Sequence, residues 1–184
     1  HLLSSGAKNV VFVDQADMQK NIETNLKINN YEGQGTFVRA DVFKFLDEAI
    51  LKGLEFNIVV SDPPAFTKSE KTKNVAISGY EKLHTKALKL VKNNGLFAVA
   101  SCTHYVDIME LDRTVQDAAI KNNVKIQLLD IGIQGHDHPM KNLKDKFLDL
   151  KENIKNSLTI KEKEKEIKSL NDKKRAANLL YLYE

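Results

Sequence analysis

Short apolar segments rich in β-branched residues alternate with stretches of helical periodicity through residues 10–131. Strands are predicted, in order, at residues 10–13, 36–39, 56–61, 96–101 and 124–131. Helices are predicted between them, where apolar residues recur at three- and four-residue spacing, at residues 18–29, 42–52, 83–91 and 108–119. Because strands separated by helices join through right-handed crossovers, this order predicts an α/β, Rossmann-like fold with a mostly parallel sheet and helices on both faces.

Polar residues and glycines predict one loop and the ends of two helices. Residues 67–78 are polar and are expected to form an exposed loop. Gly53 is expected to end the second helix, and Asn93, Asn94 and Gly95 are expected to end the third.

The segment 140–175 departs from this alternation because it is dense in Lys and Glu and contains no Gly or Pro. Its apolar residues are spaced four, three, four and four apart, as in an amphipathic helix: Leu143, Phe147, Leu150, Ile154 and Leu158. Thr159 and Glu162 fit a capping box for a second helix. We predict a charged helical hairpin insertion, followed by a closing strand at residues 177–183. The two helices of the hairpin either pack their apolar stripe on the domain, with their charged faces in solvent, or contact RNA or a partner. The apolar stripe is also compatible with a homodimer.

The bulk composition is that of a globular domain. At 184 residues, with 42% hydrophobic and 29% charged residues, the chain 1–184 is expected to form one domain. No apolar run is long enough to cross a bilayer and no secretory signal is visible, so we expect no membrane association. A single Cys cannot form an internal disulfide, which favours a reducing, cytoplasmic location. The net charge of +3 permits a polyanionic partner without requiring one.

Three predicted strands are followed by an acid: Asp14, Asp41 and Asp62. In an open α/β sheet, ligands bind outside the carboxyl ends of the strands. Asp14, with Gln15 beside it, is suited to accept hydrogen bonds from ribose hydroxyls. Asp41, followed by Val42, is suited to accept a hydrogen bond from an adenine amino group. Each acid alone is also typical of a helix N-cap. Three at successive strand ends favour a nucleoside cofactor.

Asp62 is followed by Pro63 and Pro64, which end the strand because proline cannot donate to the sheet. Two prolines fix the backbone of the turn, so the carboxylate is held rigidly. Such a turn can hydrogen-bond a planar base and hold its reacting atom in place. It is also compatible with an ordinary turn at a strand end.

These residues belong to an ordered set of motifs: Asp14, Ala40-Asp41-Val42-Phe43, Asp62-Pro63-Pro64-Ala65-Phe66, Gly79-Tyr80, Asn94-Gly95, Ser101-Cys102-Thr103 and Asp137-His138-Pro139. The set resembles the class I S-adenosylmethionine-dependent RNA methyltransferases. It is most similar to the PUA-fused family that makes 5-methylcytosine in large-subunit ribosomal RNA. The resemblance covers about residues 1–139.

The resemblance implies that the cofactor is S-adenosylmethionine and that the partner is RNA, in particular ribosomal RNA. Asp14 and Gln15 would bind the cofactor ribose, Asp41 and Val42 its adenine, and Asp62 and Pro63 the region of the methyl group. Cys102 would be the nucleophile, because C5 of cytosine becomes reactive only after a thiolate adds to C6. Asp62 would hydrogen-bond the activated ring at N3. The thiol would need a lowered pKa, which a nearby cation or helix N-terminus could supply.

Two family features are not found in the sequence: the Gly-rich turn that wraps the methionine part of the cofactor, and the PUA domain. We therefore expect the chain to begin within a longer polypeptide, residues 1–6 to be the end of a helix, and the chain as given to bind cofactor poorly. Two other functions stay open. One is methylation of a ring or exocyclic nitrogen, which needs no thiol; the other is a non-catalytic RNA-binding relative. His104 and His138 either contact substrate or hold a loop.

Overall fold

The computed structural model describes residues 1–103, 105–133 and 177–183. The chain divides into two compact units, His1–Leu54 and Glu55–Glu184, and each is described by itself. The predicted helical hairpin, His104 and the segment Asp137-His138-Pro139 lie outside the described residues.

The first unit is a β-α-β-α arrangement. Its elements are strand β1 (Val10–Asp14), helix α1 (Gln19–Ile28), strand β2 (Gly35–Arg39) and helix α2 (Val42–Leu51). The two strands are parallel and in register from Val10 opposite Gly35 to Asp14 opposite Arg39. Helix α1 packs closely on β2, since a Cβ at Gly35 would lie 2.6 Å from Leu26 Cδ1. The parallel pairing places the carboxyl ends of both strands side by side.

The first residues form a helical turn that ends at Gly6. The Gly6 amide donates to the Leu3 carbonyl and the Ala7 amide donates to the Leu2 carbonyl, each at 3.0 Å. Gly6 has φ +99°, so the pattern is a Schellman motif, which is typical of a helix end.

The second unit contains a four-stranded sheet and two helices. Its elements are β3 (Phe56–Ser61), one 3₁₀ turn (Glu70–Thr72), α3 (Lys73–Leu88), β4 (Val91–Ala100), α4 (Ile108–Asn122), β5 (Ile126–Ile133) and β6 (Ala177–Tyr183). The strand order is β3-β4-β6-β5. Strand β4 is parallel to β3, and β6 is antiparallel to both β4 and β5. Strands β3, β4 and β5 therefore share one direction and β6 alone opposes them, which confirms the mostly parallel prediction.

The core of the second unit lies between the sheet and the pair α3 and α4. The largest fully buried side chains come from all three parts, with Tyr80 and His84 on α3, Leu111 on α4, and Phe97 and Tyr181 in the sheet. Tyr181 also donates a hydrogen bond to Asp112 of α4 at 2.5 Å. Among the described helices, none has the length and apolarity that crossing a membrane requires.

The expected loop at residues 67–78 is wrong for its second half, because α3 begins at Lys73. The buried face of this helix includes the small Ala76 and the polar His84, together with Tyr80 and Leu83. Small and polar residues on the buried face hide its apolar periodicity, whereas Val75 is exposed. The helical spacing is present, but its early part is not apolar enough to be recognised.

The expected end of the third helix at residues 93–95 is also wrong. Helix α3 ends at Leu88, and β4 already begins at Val91. The pairing partner on β4 moves from Val91 to Leu96 while β3 advances only from Phe56 to Ile58, so the Asn-Asn-Gly segment is an irregularity within the strand. Asn94 has φ +60°, and a Cβ at Gly95 would lie 2.8 Å from the Asn57 carbonyl. The turn residues were identified correctly, but they interrupt a strand.

Candidate active site

In the first unit, two of the predicted cofactor residues meet at the carboxyl ends of β1 and β2. The Gln15 side chain donates to Asp41 Oδ2 at 2.8 Å. The two strand ends are joined by the Ala40 amide, which donates to the Asp14 carbonyl at 3.0 Å. Asp14, Gln15 and Asp41 thus form one polar cluster, which follows from the parallel register.

Asp14 is exposed, and its Oδ1 accepts a hydrogen bond from the Ala16 amide at 2.8 Å. This Asx turn fixes the carboxylate at the start of the β1–α1 loop. Arg39 holds the same loop, because its Nε donates to the Gln15 carbonyl at 3.2 Å and its guanidinium pairs with Asp17 at 3.7 Å. Among the described residues no further hydrogen bond to Asp14 is formed, so its second oxygen can accept from a ligand.

Asp41 is the N-cap of α2, and its Oδ1 accepts from the Lys44 amide at 3.1 Å. The hydrogen bond from the Lys44 amide is the largest cause that lowers the pKa of Asp41; desolvation opposes it, and the hydrogen bond from Gln15 adds a smaller lowering. The capping role that the sequence left open is therefore confirmed. Val42 is the first residue of the helix that Asp41 caps. The contact of Asp41 and Val42 with adenine stays a prediction.

In the second unit, the turn Asp62-Pro63-Pro64-Ala65-Phe66 follows β3, and Asp62 is exposed. The Phe66 ring packs on Tyr80 of α3, with ring centroids 4.6 Å apart. A Cβ at Gly79 would lie 3.2 Å from this ring, so the Gly79-Tyr80 pair leaves room for Phe66 to dock. Ser61, just before the turn, is buried, and its hydroxyl has no hydrogen-bond partner among the described residues.

Cys102 lies in the loop that follows β4. It is exposed, whereas its neighbours Ser101 and Thr103 are buried. The Thr103 hydroxyl donates to the Thr67 carbonyl at 3.4 Å, and the Thr103 amide donates to Ser101 Oγ at 3.4 Å. Two anchored neighbours therefore present the thiol to the outside next to the segment that follows the Asp62 turn.

Tyr80 joins this loop to the Asp62 turn. Its hydroxyl is hydrogen-bonded to Ser101 Oγ at 3.0 Å, and its ring packs on Phe66. Burial raises the pKa of Tyr80, and the hydrogen bond with Ser101 acts in the opposite direction. Through Ser101 and Phe66, the phenol is thus linked to the segments that carry both of the predicted catalytic groups.

The starts of α3 and α4 are also tied together. Asp107 and Glu110 form a reciprocal capping box at the start of α4, with both hydrogen bonds at 2.9 Å. Lys73, in the first turn of α3, pairs with Glu110 at 2.6 Å, and this hydrogen bond raises the pKa of Lys73. The segments that carry Thr67 and Cys102 therefore lead into helices that are fixed to each other.

Reasoning from sequence missed the roles of Thr67, Thr103 and the Tyr80 hydroxyl. Tyr80 entered only as part of a motif, and nothing local in the sequence indicates that its hydroxyl reaches Ser101, 21 residues later. A polar aromatic residue on the buried face of a helix is the one available signal, because a buried phenol needs a hydrogen-bond partner. Within the described residues, no cluster of His, Cys, Asp or Glu could hold a metal ion.

The chain is similar to curated ribosomal RNA methyltransferases. The chain is 31% identical over 145 residues to the ribosomal RNA large subunit methyltransferase I of Vibrio parahaemolyticus. It is 34% identical over 142 residues to the protein of the same name from Aeromonas hydrophila. Each match covers 76% of this chain, and the chain spans 36% of the length of each of these relatives. No protein-family model matches the chain.

Solved structures agree on the fold. A crystal structure of a protein described as a methyltransferase, in complex with SAH, superposes with a TM-score of 0.69 at 17% identity, over 99% of this chain and 40% of that one. A Streptococcus mutans protein described as an S-adenosylmethionine-dependent methyltransferase superposes with a TM-score of 0.68 at 16% identity, with the same coverage. The chain therefore has the Rossmann-like α/β fold of the S-adenosylmethionine-dependent methyltransferases.

Proposed function

We propose that the protein is an S-adenosylmethionine-dependent RNA methyltransferase of the cytoplasm that methylates C5 of a cytosine in large-subunit ribosomal RNA, with Cys102 as covalent nucleophile. The observation that carries the proposal is the exposed Cys102 thiol, held between buried Ser101 and Thr103 in a loop joined to the Asp62 turn. The similarity to ribosomal RNA large subunit methyltransferases supports the choice of RNA as the substrate.

The residues of the first unit fit the nucleoside part of the cofactor. Ribose hydroxyls are donors, and Asp14 offers an exposed carboxylate that is already oriented by the Ala16 amide. The adenine amino group is also a donor, and Asp41 carries further acceptor capacity beside Gln15, since each carboxylate oxygen has two lone pairs. When bound, S-adenosylmethionine supplies a methyl group on a positively charged sulfur. Asp62 and Pro63 are assigned to the region of this methyl group.

The reaction assigned to Cys102 uses its thiolate to add to C6 of cytosine. The new S–C6 bond draws the C5–C6 π electrons toward C5, which becomes nucleophilic like an enamine carbon. A proton taken up from solvent between the Asp62 carboxyl group and N3 forms a hydrogen bond to the ring and neutralises the negative charge that develops there, and it is released when the thiolate departs. Once C5 has been methylated, its proton leaves to solvent, the C5–C6 double bond re-forms, and the thiolate of Cys102 departs. The sulfur is thus regenerated with no net change.

The function is tested by replacing Cys102 with Ser in the full-length protein. We expect Cys102→Ser to abolish methyl transfer to an unmodified large-subunit ribosomal RNA transcript, because a neutral hydroxyl does not add to C6. Calorimetry with S-adenosylmethionine serves as the control, and binding is expected to be unchanged since the exposed Cys102 side chain supports no packing. Transfer at the wild-type rate would contradict C5 chemistry and favour a nitrogen target.

A further inference from the structure

We propose that Tyr80 is a positioning residue for this reaction, whose hydroxyl holds the Cys102 loop in register with the Asp62 turn. The proposal rests on the proposed function, because it concerns the two groups assigned to the chemistry. Within the residues that the structure describes, neither Asp62 nor Cys102 is itself fixed by a side-chain hydrogen bond that would set their separation. That separation must come from the backbone segments that carry them.

The phenol of Tyr80 lies against the turn that carries Asp62. Tyr80 is fully buried, and its ring lies against Phe66, the last residue of the Asp62 turn, at 4.6 Å between centroids. The ring of Tyr80 thus packs on the turn that carries Asp62.

The Tyr80 hydroxyl reaches the segment that carries the thiol. The same hydroxyl is bonded to Ser101 Oγ at 3.0 Å, and Ser101 is the residue directly before Cys102. Ser101 Oγ also accepts from the Thr103 amide at 3.4 Å, so it is fixed on both sides of the thiol. Tyr80 therefore links the two segments, by its ring on Phe66 and by its hydroxyl on Ser101, and a buried contact of this kind is rigid because its members have no water to exchange with.

The proposed chemistry needs both reacting groups in position. Addition at C6 and stabilisation at N3 act on one flat ring, so thiol and carboxylate must hold a defined spacing. Reactions of positioned groups are sensitive to misplacements of about 1 Å, which cost up to about 100-fold in rate. Loss of the Tyr80 hydroxyl would let the loop move relative to the turn without removing either reacting group.

The test uses single-turnover methyl transfer by the full-length protein to an unmodified large-subunit ribosomal RNA transcript, with radiolabelled S-adenosylmethionine. We expect Tyr80→Phe to lower the rate constant about tenfold, the size of one lost buried hydrogen bond, while the half-saturating S-adenosylmethionine concentration stays within about twofold. Ser101→Ala removes the same hydrogen bond from the other side. We expect it to lower the rate at least as much, because it also removes the bond from the Thr103 amide, and we expect the double variant to be no slower than Ser101→Ala alone, in which the bond to Tyr80 is already absent.

Tyr181→Phe is the matched control. Tyr181 is equally buried and its hydroxyl also makes one side-chain hydrogen bond, to Asp112, but on strand β6 and helix α4. This variant is expected to melt at a lower temperature and yet transfer at the wild-type rate when folded. An equal loss of rate in Tyr80→Phe and Tyr181→Phe would overturn the positioning role.

The outcomes separate the two proposals. If Cys102→Ser keeps the wild-type rate, the proposed C5 function fails. If Cys102→Ser is inactive while Tyr80→Phe and Ser101→Ala keep the wild-type rate, the function stands and the positioning role of Tyr80 is wrong. Should Tyr80→Phe not fold, Ser101→Ala decides alone.

Discussion

In the first unit, the proposed binding of the cofactor ribose depends on a single residue, Asp14. Its Oδ1 is used by the Ala16 amide, and the acceptor capacity left for a ligand is on the other oxygen. Aspartate at this position therefore differs from asparagine in one respect that matters for binding. Asparagine can keep the turn through its carbonyl oxygen, but its amide nitrogen cannot accept from a ribose hydroxyl.

We expect Asp14→Asn to weaken S-adenosylmethionine binding to the full-length protein about 10- to 100-fold, the usual contribution of a charged hydrogen bond. Calorimetric titration measures the change. Asp17→Asn is the control, because Asp17 is an exposed acid of the same loop that pairs with Arg39 at 3.7 Å. Equal dissociation constants for wild type and Asp14→Asn would show that Asp14 does not hold the ribose.

The positions of the three acids at strand ends could be predicted from sequence because each closes or follows an apolar run, whereas their contacts with cofactor and substrate stay predictions. Asp14 and Asp41 lie at the ends of neighbouring parallel strands, and the register of those strands brings Gln15 and Asp41 into contact. The contact between Tyr80 and Ser101 could not be predicted in the same way. It depends on how α3 packs over β4, which no local pattern records.

At the scale of elements, the pairing of α3 with α4 depends on a buried polar contact. His84 Nδ1 lies 2.9 Å from Thr114 Oγ1, and the Thr114 hydroxyl donates to the Leu111 carbonyl at 2.6 Å. Since that hydroxyl has only one hydrogen, it accepts from His84, which must carry its proton on Nδ1. Burial lowers the pKa of His84 to about 3, so the ring stays neutral in the folded protein near neutral pH.

This contact predicts a pH dependence of stability. The folded-state pKa of His84 is depressed from 6.5 to about 3, so between these values the unfolded state binds more protons. The contribution is complete above pH 6.5 and is lost as the pH falls toward 3, at a slope of at most about 1.4 kcal/mol per pH unit.

Urea unfolding between pH 4.5 and 6.5 measures this slope, within the interval between the two pKa values. His84→Asn, which keeps a donor for Thr114 but does not titrate, is expected to show a shallower dependence than wild type. His1→Asn, at an exposed residue, is the control and should leave the dependence unchanged. A slope that is identical in wild type and His84→Asn would contradict the buried neutral His84.

Boundaries of elements were predicted well where the apolar pattern is strong. The predicted bounds of strand β3, Phe56–Ser61, are the observed ones, because two prolines follow after a single residue, Asp62. The predicted helix at residues 83–91 begins and ends later than the observed helix α3, Lys73–Leu88. Its early buried residues are small or polar, and Leu90 and Val91, which continue its apolar spacing, belong to the turn and to the strand that follow. Both ends of α3 are decided by packing against residues that are distant in sequence, which the local spacing of apolar residues does not show.

At the scale of the whole molecule, the α/β class and the mostly parallel sheet were predicted from the alternation of strands and helices and are confirmed. The position of β6 was not predicted. It inserts between β4 and β5, pairing Leu182 with Leu96 on one side and with Gln127 on the other. A final strand pairs with whichever edges are left open by earlier elements, and sequence spacing carries no record of that choice. The single-domain prediction, the hairpin and the homodimer stay predictions.

The central claim, covalent catalysis by Cys102 at cytosine, is tested most directly by trapping the protein on RNA. In a large-subunit ribosomal RNA transcript made with 5-fluorocytidine, C5 carries fluorine in place of the proton that must leave, so the S–C6 bond cannot be released after methylation. We predict a protein–RNA complex that survives denaturing electrophoresis, requires S-adenosylmethionine, maps to Cys102 by peptide mass spectrometry, and is absent in Cys102→Ser. Methylation of the ordinary transcript without any such complex would contradict the account.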